Sequence, residues 1–448
     1  MAVRLLCIGD LHLGRRIRPG ITDAGVNLAE LQPEAAWRRS IDTAINLGVD
    51  GVLLAGDVID GDSHFFFGCQ ILHREIARLV EHGIPVVAVA GNHDVSVLPR
   101  LATEIPYLKL LGKNGSWESV TISSRRNPGE KVQIVGWSFP TPTFPASPLP
   151  ALPAFLAGIN RADGPLIGLL HCDITASKAS PHAPVSVSEL AGAELSAWLL
   201  GHIHVPASLQ GDVPTGYLGS LIGLDPSETG WHGAWLLTYE PGTPIRMERQ
   251  APAQLQWHNA ELDVTGIDTP EAFEASILGA LRAAGETTAL GPEPPILVGI
   301  RLTITGSTAL CAALPALTEK LLAPGDTSDR ISVGTSPVCF LDDISLRNIK
   351  PETTLDLRAT AKSVGPPAAL AAMLLCLQEE PDSAEALAII HEAGNSMRFA
   401  VDKRTYARIP APDLSQEAIR SHLLNAGFAA LHLLLEQRST QSSEGKSL

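Results

Sequence analysis

The sequence lacks several features that would assign it to a membrane, to an oxidising compartment or to a familiar class of ATPase. It contains no run of about 18 uninterrupted apolar residues, so a membrane-spanning helix is not expected. Its six cysteines are scattered without a CxxC pair, which argues against a disulfide framework and a thiolate zinc site. It has no GxxxxGKS/T phosphate loop, which excludes ATP hydrolysis by that route. These absences favour a cytoplasmic protein with no membrane segment.

The chain also has fewer basic than acidic residues. The chain has 33 Lys and Arg against 48 Asp and Glu, for a net charge of −15. Because duplex binding depends largely on phosphate neutralisation, this balance is a caution against a nucleic-acid substrate. Charge can still be local, since Arg15, Arg16 and Arg18 directly follow a polar block. Arg125 and Arg126 lie on a predicted hairpin turn. Such arginines could hold a phosphate backbone, and the alternative is solvated loop charge.

Five short polar blocks in the first half of the chain carry most of the functional information. They are GDLH at 9–12, GDVID at 56–60, GNHD at 91–94, LHC at 170–172 and GHIH at 201–204. Each block supplies Asp, Asn or His, and the first three follow an apolar run with Gly at the turn. Ligands collect beyond the carboxyl ends of parallel strands, so these blocks are expected to meet in one site. The pattern is typical of a two-metal hydrolase centre.

The first 240 residues alternate apolar strands with helical patterns. Strands are predicted at 3–8, 49–55, 84–90, 132–137, 166–170 and 198–200, and helices at 33–47 and 65–82. The first strand runs straight into Gly9 without a small-residue cleavage site, so we interpret it as a buried strand rather than a signal peptide. Strand–helix–strand alternation predicts parallel pairing with helices outside. Segments 217–221 and 234–239 are predicted to close a second sheet.

Two long loops interrupt this region, at 138–153 and 173–188. Loops of this length are often functional lids, and flexible decoration is the alternative. His182 lies in the second loop and could approach a substrate. His232 could do the same, because it adjoins the strand at 234–239.

A chain of 448 residues exceeds what one core usually supports. The first domain is predicted at 1–240, with a boundary at Pro241-Gly242-Thr243-Pro244. A small α/β capping domain follows at 245–350, with a helix near 270–284 and a loop at 285–295. The region 351–438 is predicted to be helical, and the polar tail 439–448 to be disordered.

The polar blocks supply oxygen and imidazole ligands, a mixture that suits Mn²⁺, Fe²⁺ or Zn²⁺. Asp10 and His12 are separated by one residue, so an extended backbone points both side chains to the same side. The same holds for His202 and His204. Asp57 is expected to lie between two metals, where a carboxylate can bridge both and offset some of their repulsion.

The series GDLHLG, GDVID, GNHD, a lone His and GHIH resembles the calcineurin-like metallophosphoesterase superfamily. Within it, GDLHLG after a first strand resembles the DNA-repair exonuclease branch, the SbcD-type nuclease subunits. Residues 217–221, followed by Glu228 and an apolar strand, are similar to the closing motif of that branch. The resemblance covers residues 1–240. It implies an α/β/β/α sandwich and two divalent metal ions, with Mn²⁺ favoured and Fe²⁺ or Zn²⁺ as alternatives.

The resemblance also implies a role for each matching residue. One metal is assigned to Asp10, His12, Asp57 and His204. The other metal is assigned to Asp57, Asn92, His171 and His202. His93 matches the non-ligand catalytic histidine of the family, with Asp94 as its orienting or supporting partner.

Two residues depart from the nuclease branch. Asp60 stands where that branch often has His, and His232 precedes Gly233 where Lys-Gly is frequent. Both departures weaken the nuclease assignment relative to a broader phosphoesterase assignment. Neither affects the predicted metal ligands.

The leading hypothesis is a two-metal-dependent DNA exo/endonuclease subunit that acts in DNA repair. A metal-dependent phosphodiesterase or phosphatase for a small nucleotide or other phosphoester is the alternative, favoured by the acidic charge and Asp60. A scaffold without activity is a third hypothesis, which the full ligand set disfavours. The resemblance further implies an SMC-like ATPase partner docked through C-terminal helices within 366–436, although these helices could equally pack within the chain. Family members often form a homodimer through the phosphoesterase domain.

Overall fold

The computed structural model describes residues 2–17, 26–60, 65–175, 180–290, 293–323, 332–333, 337–351, 357–401 and 413–444. The chain divides into two compact units. The first comprises Met1–Ala260, Ile277–Thr303 and Leu321–Ser345, and the second Glu261–Ser276, Ile304–Lys320 and Leu346–Leu448. The domain boundaries expected near residues 240 and 350 stay predictions.

The strands, in chain order, are β1 (Val3–Ile8), β2 (Gly51–Leu54), β3 (Val86–Ala88), β4 (Leu108–Leu110), β5 (Trp117–Ser123), β6 (Lys131–Trp137), β7 (Leu166–His171), β8 (Asp173–Ile174), β9 (Pro184–Val185), β10 (Ala197–Gly201), β11 (Thr215–Tyr217), β12 (Ala234–Tyr239), β13 (Arg246–Gln250), β14 (Leu255–Asp263), β15 (Leu297–Thr308), β16 (Ser332–Val333) and β17 (Val338–Pro351). The helices are α1 (Pro33–Leu47), α2 (Phe65–Glu81), α3 (Leu98–Glu104), α4 (Leu152–Leu156), α5 (Val187–Gly192), α6 (Pro270–Ala289), α7 (Leu314–Leu322), α8 (Leu357–Ala361), α9 (Pro366–Glu379), α10 (Ala384–Val401) and α11 (Gln416–Glu444).

The first unit is built on two sheets. One has the strand order β13-β12-β1-β2-β3-β4, and the other has the order β11-β10-β7-β6-β5. The pairs β1–β2, β2–β3 and β3–β4 are parallel, as the strand–helix–strand alternation predicts. In the second sheet β6, β7, β10 and β11 are parallel, while β5 and β6 form an antiparallel hairpin.

Alternate residues of β1 belong to different cores, which explains why its sequence is apolar throughout. Leu6 and Ile8 pack in a cluster that contains Ile41 of α1 and Ile76 of α2. Leu5 packs on the opposite face, in the cluster that contains residues of the second sheet. A strand covered on both faces has no polar face to alternate with.

The second sheet is covered on its outer side in the same way. Val135 of β6 and Leu170 of β7 pack with Leu152 of α4 and Leu190 of α5. The adjacent β6 residue, Ile134, faces the first sheet instead. The predicted α/β/β/α sandwich is therefore confirmed.

One strand lies in a different sheet from the predicted one. Segment 234–239 is a strand, but it joins the first sheet as β12, antiparallel to β1, with Cys7 opposite Trp235. Its apolar pattern predicts a strand but contains nothing that selects between two available sheet edges. Segment 217–221 contributes only its first residue to a strand, because β11 ends at Tyr217.

The two long loops are bonded to each other. The Phe144 amide donates to the Pro181 carbonyl at 2.7 Å, and the Ala183 amide donates to the Phe144 carbonyl at 2.7 Å. Within the second loop, β8 pairs with β9. The described parts of these loops are therefore fixed to one another by backbone hydrogen bonds, while residues 176–179 lie outside the described residues.

The C-terminal half contains a four-stranded sheet in the order β14-β15-β17-β16, followed by helices. Helix α6 continues to Ala289, so the predicted loop at 285–295 begins later than expected. Helix α11 continues to Glu444, into the segment predicted as a disordered tail, where Glu, Gln and Arg at 436–438 favour helix continuation. Among the described helices, none has the length and apolarity to cross a membrane.

Candidate metal centre

Seven polar side chains meet where parallel strands of both sheets end. Six of the residues follow β1, β2, β3 or β10 within a few positions, and the seventh is the last residue of β7. The carboxyl ends of parallel strands point the same way, so loops from both sheets share one edge of the sandwich. The seven residues are Asp10, His12, Asp57, Asn92, His171, His202 and His204.

The first group of potential ligands consists of Asp10, His12 and His204. One ligand atom from each lies within 4.8 Å of the other two. His12 Nε2 is 3.2 Å from His204 Nε2, so two ring nitrogens face each other across a short gap. Asp10 and His12 are fully buried. Two imidazoles in this arrangement can present nitrogen lone pairs to a shared cation.

The second group consists of Asp10, Asp57 and His171, again within 4.8 Å. Asp57 Oδ2 lies 3.4 Å from His171 Nε2 and 3.7 Å from His12 Nε2. The Asp57 carboxylate is thus shared between the histidines of the two groups. This is the position that the sequence predicts for a bridging carboxylate.

Asn92 and His202 complete the second side of the centre. Asn92 Oδ1 is 3.1 Å from His171 Nε2. The His202 ring lies 5.3 Å from the His171 ring, and its backbone amide donates to Asp10 Oδ1 at 2.8 Å. The structure therefore brings together all seven residues predicted as ligands.

The donor atoms fit divalent cations. Among the described residues, Asp10 Oδ2 and His12 Nδ1 are buried and lack a hydrogen-bond partner. A buried carboxylate oxygen without a partner is costly unless a cation or hydrogen-bond donor compensates its charge. Carboxylate, amide and imidazole donors without a thiolate suit Mn²⁺, Fe²⁺ or Zn²⁺. Two groups that share Asp10 and contact a common Asp57 match a pair of such ions.

The backbone at the centre is strained. Asp10, His12, Asp57 and His202 have φ values of 41°, 45°, 49° and 108°, in a region that favours glycine. Each such residue costs on the order of 1–3 kcal/mol and persists only where its surroundings hold it. Here the His12 amide donates to the Asp57 carbonyl at 2.9 Å, which joins the first two turns. Strain concentrated on potential ligands indicates selection for their position.

Two glycines allow the turns to approach the ligands. A Cβ at Gly91 would lie 2.1 Å from Asp57 Oδ1. A Cβ at Gly56, whose φ is +92°, would lie 2.5 Å from His171 Nδ1. Any larger residue at these positions would displace a predicted ligand.

Burial and charge set the protonation of the ligands. Burial alone would raise the pKa of Asp57, but His171 and His12 outweigh it and lower the pKa. Burial, reinforced by His171, lowers the pKa of His202 to about 4. Anionic carboxylate and neutral imidazole are the forms that bind metal ions, so both shifts favour metal binding.

His93 lies at the solvent-exposed rim of the centre. Its amide donates to Asp57 Oδ1 at 3.0 Å, and its ring lies 5.2 Å from the His12 ring. The imidazole is exposed, whereas His12 is buried. The residue predicted to act on the substrate is therefore adjacent to the ligands and accessible from solvent.

Asp94 supports the backbone. It is fully buried, and its carboxylate accepts from the Val58 amide at 2.7 Å and from the Gly91 amide at 2.8 Å. Burial, together with the charge of Asp57, raises the pKa of Asp94 to about 7. Among the described residues its carboxylate has no hydrogen bond to the His93 ring. The sequence predicts that Asp94 either orients His93 or supports it, and this geometry fits support of the turn that carries His93.

Glu228 contributes to the metal centre, although the sequence analysis does not predict it as a site residue. Glu228 Oε1 lies 2.7 Å from His204 Nδ1, and Oε2 accepts from the Leu224 amide at 2.8 Å. Burial would lower the pKa of His204, but the bond to Glu228 raises it. A carboxylate on Nδ1 fixes the tautomer and leaves Nε2 for a metal. The closing motif after residue 217 was the available signal.

Other residues singled out in the sequence lie at different places around the centre. The His182 ring lies 5.0 Å from the His202 ring, beside the centre. His232 is 1% exposed and bonded to Ser220 and to the Glu228 carbonyl, so it has no direct access to a substrate. Asp60 Oδ2 lies 3.7 Å from His12 Nδ1. Arg18 lies outside the described residues.

Comparisons with known proteins agree with this geometry. Residues 3–206 match the family described as calcineurin-like phosphoesterase. An uncharacterised metallophosphoesterase, YhaO of Bacillus subtilis, is 30% identical over 244 residues, which cover 52% of this chain and 55% of that protein. The chain is also similar to proteins described as DNA double-strand break repair protein Mre11, among them those of two archaeal species.

The Mre11 protein of Sulfurisphaera tokodaii is 30% identical over 116 residues, which cover 25% of this chain and 28% of that protein. The Mre11 protein of Aeropyrum pernix is 26% identical over 276 residues, which cover 58% of this chain and 64% of that protein. Each of the three matches therefore spans less than two thirds of the relative's length.

Proposed function

Because residues 3–206 match the calcineurin-like phosphoesterase family, we propose that the chain is a two-metal-dependent DNA exo/endonuclease subunit that acts in DNA repair. The observation that carries phosphodiester hydrolysis is the position of Asp57 between His12 and His171, at 3.7 and 3.4 Å. The Mre11 relatives support DNA as the substrate. Arg15 and Arg16, which follow the first ligand turn, supply positive charge in an acidic protein.

The residues of the centre divide into those that hold metals and those that act on the substrate. Bound divalent cations would supply an activated water and charge stabilisation for the phosphoryl oxygens. One metal would be held by Asp10, His12, Asp57 and His204. The second would be held by Asp57, Asn92, His171 and His202.

His93 is the proposed catalytic residue. Its exposed ring beside His12 can donate a proton to the leaving oxygen or stabilise charge on the phosphate. General-acid assistance of this kind contributes about 10²–10⁴-fold to the rate. The bond from its amide to Asp57 ties its position to the carboxylate that lies between His12 and His171. Asp94 holds the same turn through Val58 and Gly91.

A metal-dependent phosphodiesterase or phosphatase for a small phosphoester is the second candidate. The net charge of −15 favours it, since a small substrate needs little phosphate neutralisation outside the centre. The two candidates share the ligand set and the proposed role of His93. They differ in the surface beyond the metals.

We also propose an SMC-like ATPase partner docked on the C-terminal helices, and a homodimer formed through the phosphoesterase domain. The helices α9–α11 and the loop before them carry exposed apolar residues, among them Val364 (84% exposed), Met373 and Leu387. Such residues suit helix docking. Co-purification of the full chain with such an ATPase, lost on Val364→Glu and Met373→Glu, is the corresponding test.

The decisive experiment for the reaction is hydrolysis by the full chain supplied with Mn²⁺. Linear duplex DNA, single-stranded DNA and bis-p-nitrophenyl phosphate serve as parallel substrates, with His93→Ala as the control. DNA degradation that the variant loses supports the nuclease. Cleavage of the small ester alone, even with the ATPase partner added, supports the small-substrate enzyme. Failure to cleave either substrate with Mn²⁺, Fe²⁺ or Zn²⁺ contradicts both.

A further inference from the structure

The first turn of α2 carries an aromatic side chain that is largely exposed to solvent. Phe66 is 86% exposed and Phe67 is 40% exposed, whereas Phe65 packs against the core under α1 and α2. The Phe66 ring contacts the Phe65 ring edge-on, with the ring centroids 5.3 Å apart, and most of its remaining surface faces solvent. Phe66 and Phe67 are adjacent exposed rings, and contiguous exposed apolar surface of this kind is typical of a place where another molecule binds.

An arginine from the first ligand loop packs on this aromatic turn. The Arg16 guanidinium carbon lies 5.1 Å from the centroid of the Phe67 ring, in a cation–π contact. Its nearest acidic neighbour is Glu34, at 3.8 Å, beyond hydrogen-bond distance. Within the described part of the chain, no acceptor bonds its guanidinium. Arg16 is thus held in place by Phe67 and by the ion pair with Glu34, and its guanidinium keeps donors available for an anion.

This turn lies directly against the chain that leaves the metal centre. A Cβ at Gly68 would be 2.7 Å from the Leu13 carbonyl, so the start of α2 touches the backbone that follows His12. The Arg15 amide donates to the His12 carbonyl at 3.1 Å. Arg15 is also close enough to His204 for its charge to act on that ring. Positive charge therefore extends from the ligands to the aromatic turn.

The combination selects one kind of occupant. Proteins bind single-stranded nucleic acid through cations that contact the phosphates and aromatic rings on which bases stack. A duplex keeps its bases stacked inside, and a small phosphoester has no second base to reach Phe66. An unpaired DNA strand entering the metal centre presents both groups at the required places.

We propose that Arg15, Arg16, Phe66 and Phe67 form a binding surface for the unpaired end of the DNA substrate. The two arginines contact phosphates next to the scissile bond, and a base stacks on Phe66. This inference rests on the proposed nuclease function. It makes single-stranded ends the preferred substrate of the same metal centre.

The test uses the full chain with Mn²⁺ and compares Phe66→Ala with Phe66→Trp. We expect Phe66→Ala to raise KM for a single-stranded oligonucleotide by roughly fivefold to 150-fold, the range for loss of one stacked base. Phe66→Trp should retain the wild-type KM. Hydrolysis of bis-p-nitrophenyl phosphate should be unchanged in both. Leu290→Ala is the matched control, because Leu290 is 85% exposed and lies far from this turn in the sequence.

Arg16→Ala provides an independent readout. Binding of a single-stranded oligonucleotide should become less salt-dependent, with the slope of log K against log salt reduced by about 0.7 for one lost phosphate contact. An unchanged slope would count against the arginine contact. Equal single-stranded KM values for wild type and Phe66→Ala would overturn the stacking surface.

Other outcomes separate the proposals. Equal losses on DNA and on the small ester would mean that Phe66 supports the centre itself, which overturns the surface. A change in the molar mass of Phe66→Ala, measured by light scattering, would assign the ring to a contact between copies of the chain. That result would also overturn the proposed surface. A wild-type chain that cleaves only the small ester, even with the ATPase partner added, contradicts the nuclease and the surface together. Equal rates of DNA cleavage by the wild type and by Phe66→Ala contradict the proposed surface but not the nuclease function.

Discussion

The metal-binding edge of the first unit and the helical second unit have opposite physical characters. At the metal centre, four potential ligands have positive φ, and the buried Asp10 and His12 retain unpartnered polar atoms. In the described part of the second unit, Asn348 is the one non-glycine residue with positive φ. Its helices pack through small apolar clusters, one of them around Leu374 and Leu431.

This difference separates positions that serve chemistry from positions that serve packing. Strain and unpaired polar atoms lower stability and are retained where a function depends on them. Apolar clusters stabilise helices without placing any particular side chain to high precision. Substitutions at the metal centre should therefore change activity far more than stability, and substitutions in the second unit should do the reverse.

Asp57→Ala should give the largest effect. Asp57 belongs to both four-residue ligand sets proposed for the two metals, so its removal should leave neither set complete. We therefore expect loss of bound metal and no measurable hydrolysis of bis-p-nitrophenyl phosphate. Metal content by plasma mass spectrometry is the direct measurement. Asp212→Ala, at an exposed position, is the matched control. A variant that still binds two metals would contradict the shared role of Asp57.

His93→Ala should lower turnover by about 10²–10⁴-fold while both metals stay bound, since the ring lies beside the ligands and is not among them. Turnover and metal content measured on the same sample separate these effects. Exposed His73→Ala should match the wild type. If His93→Ala lost metal, the residue would belong with the ligands.

Glu228→Ala should weaken metal affinity by about 10–100-fold, because His204 would lose the acceptor that fixes its tautomer. Glu228→Gln keeps an acceptor oxygen and should lie between the wild type and Glu228→Ala. Competition with a chelating dye measures the affinity, with exposed Glu248→Ala as control. Equal affinity in Glu228→Ala and wild type would show that packing alone orients His204.

Leu374→Ala should leave hydrolysis of the small ester unchanged and lower the free energy of unfolding by about 2–5 kcal/mol. Leu374 is 1% exposed, whereas its neighbour Met373 is 42% exposed and provides the control Met373→Ala. Chemical denaturation followed by circular dichroism measures the difference. An activity loss in Leu374→Ala without unfolding would break the contrast between the two units.

Much of the first unit follows from local pattern. The strands β1, β2 and β3 are apolar runs, and each ligand turn begins with Gly near the end of such a run, so motif and element could be predicted together. The C-terminal elements were predicted less well, because their patterns are mixed and helix ends depend on packing. Residues 402–412, within the region predicted to be helical, lie outside the described residues.

The sequence by itself determined which side chains can bind metal, since residue type sets the donor atoms of Asp10, His12, His202 and His204. Their approach to one another depends on turns in which Asp10, His12 and His202 have positive φ, not on the extended backbone that their spacing predicts. Tertiary structure alone decided three further features. The sheet that receives β12 depends on which edge is open, and the pairing of the two loops depends on backbone groups that every sequence shares. The bond between Glu228 and His204 depends on the distance between two chain segments in space. These are long-range contacts, and no local pattern encodes them.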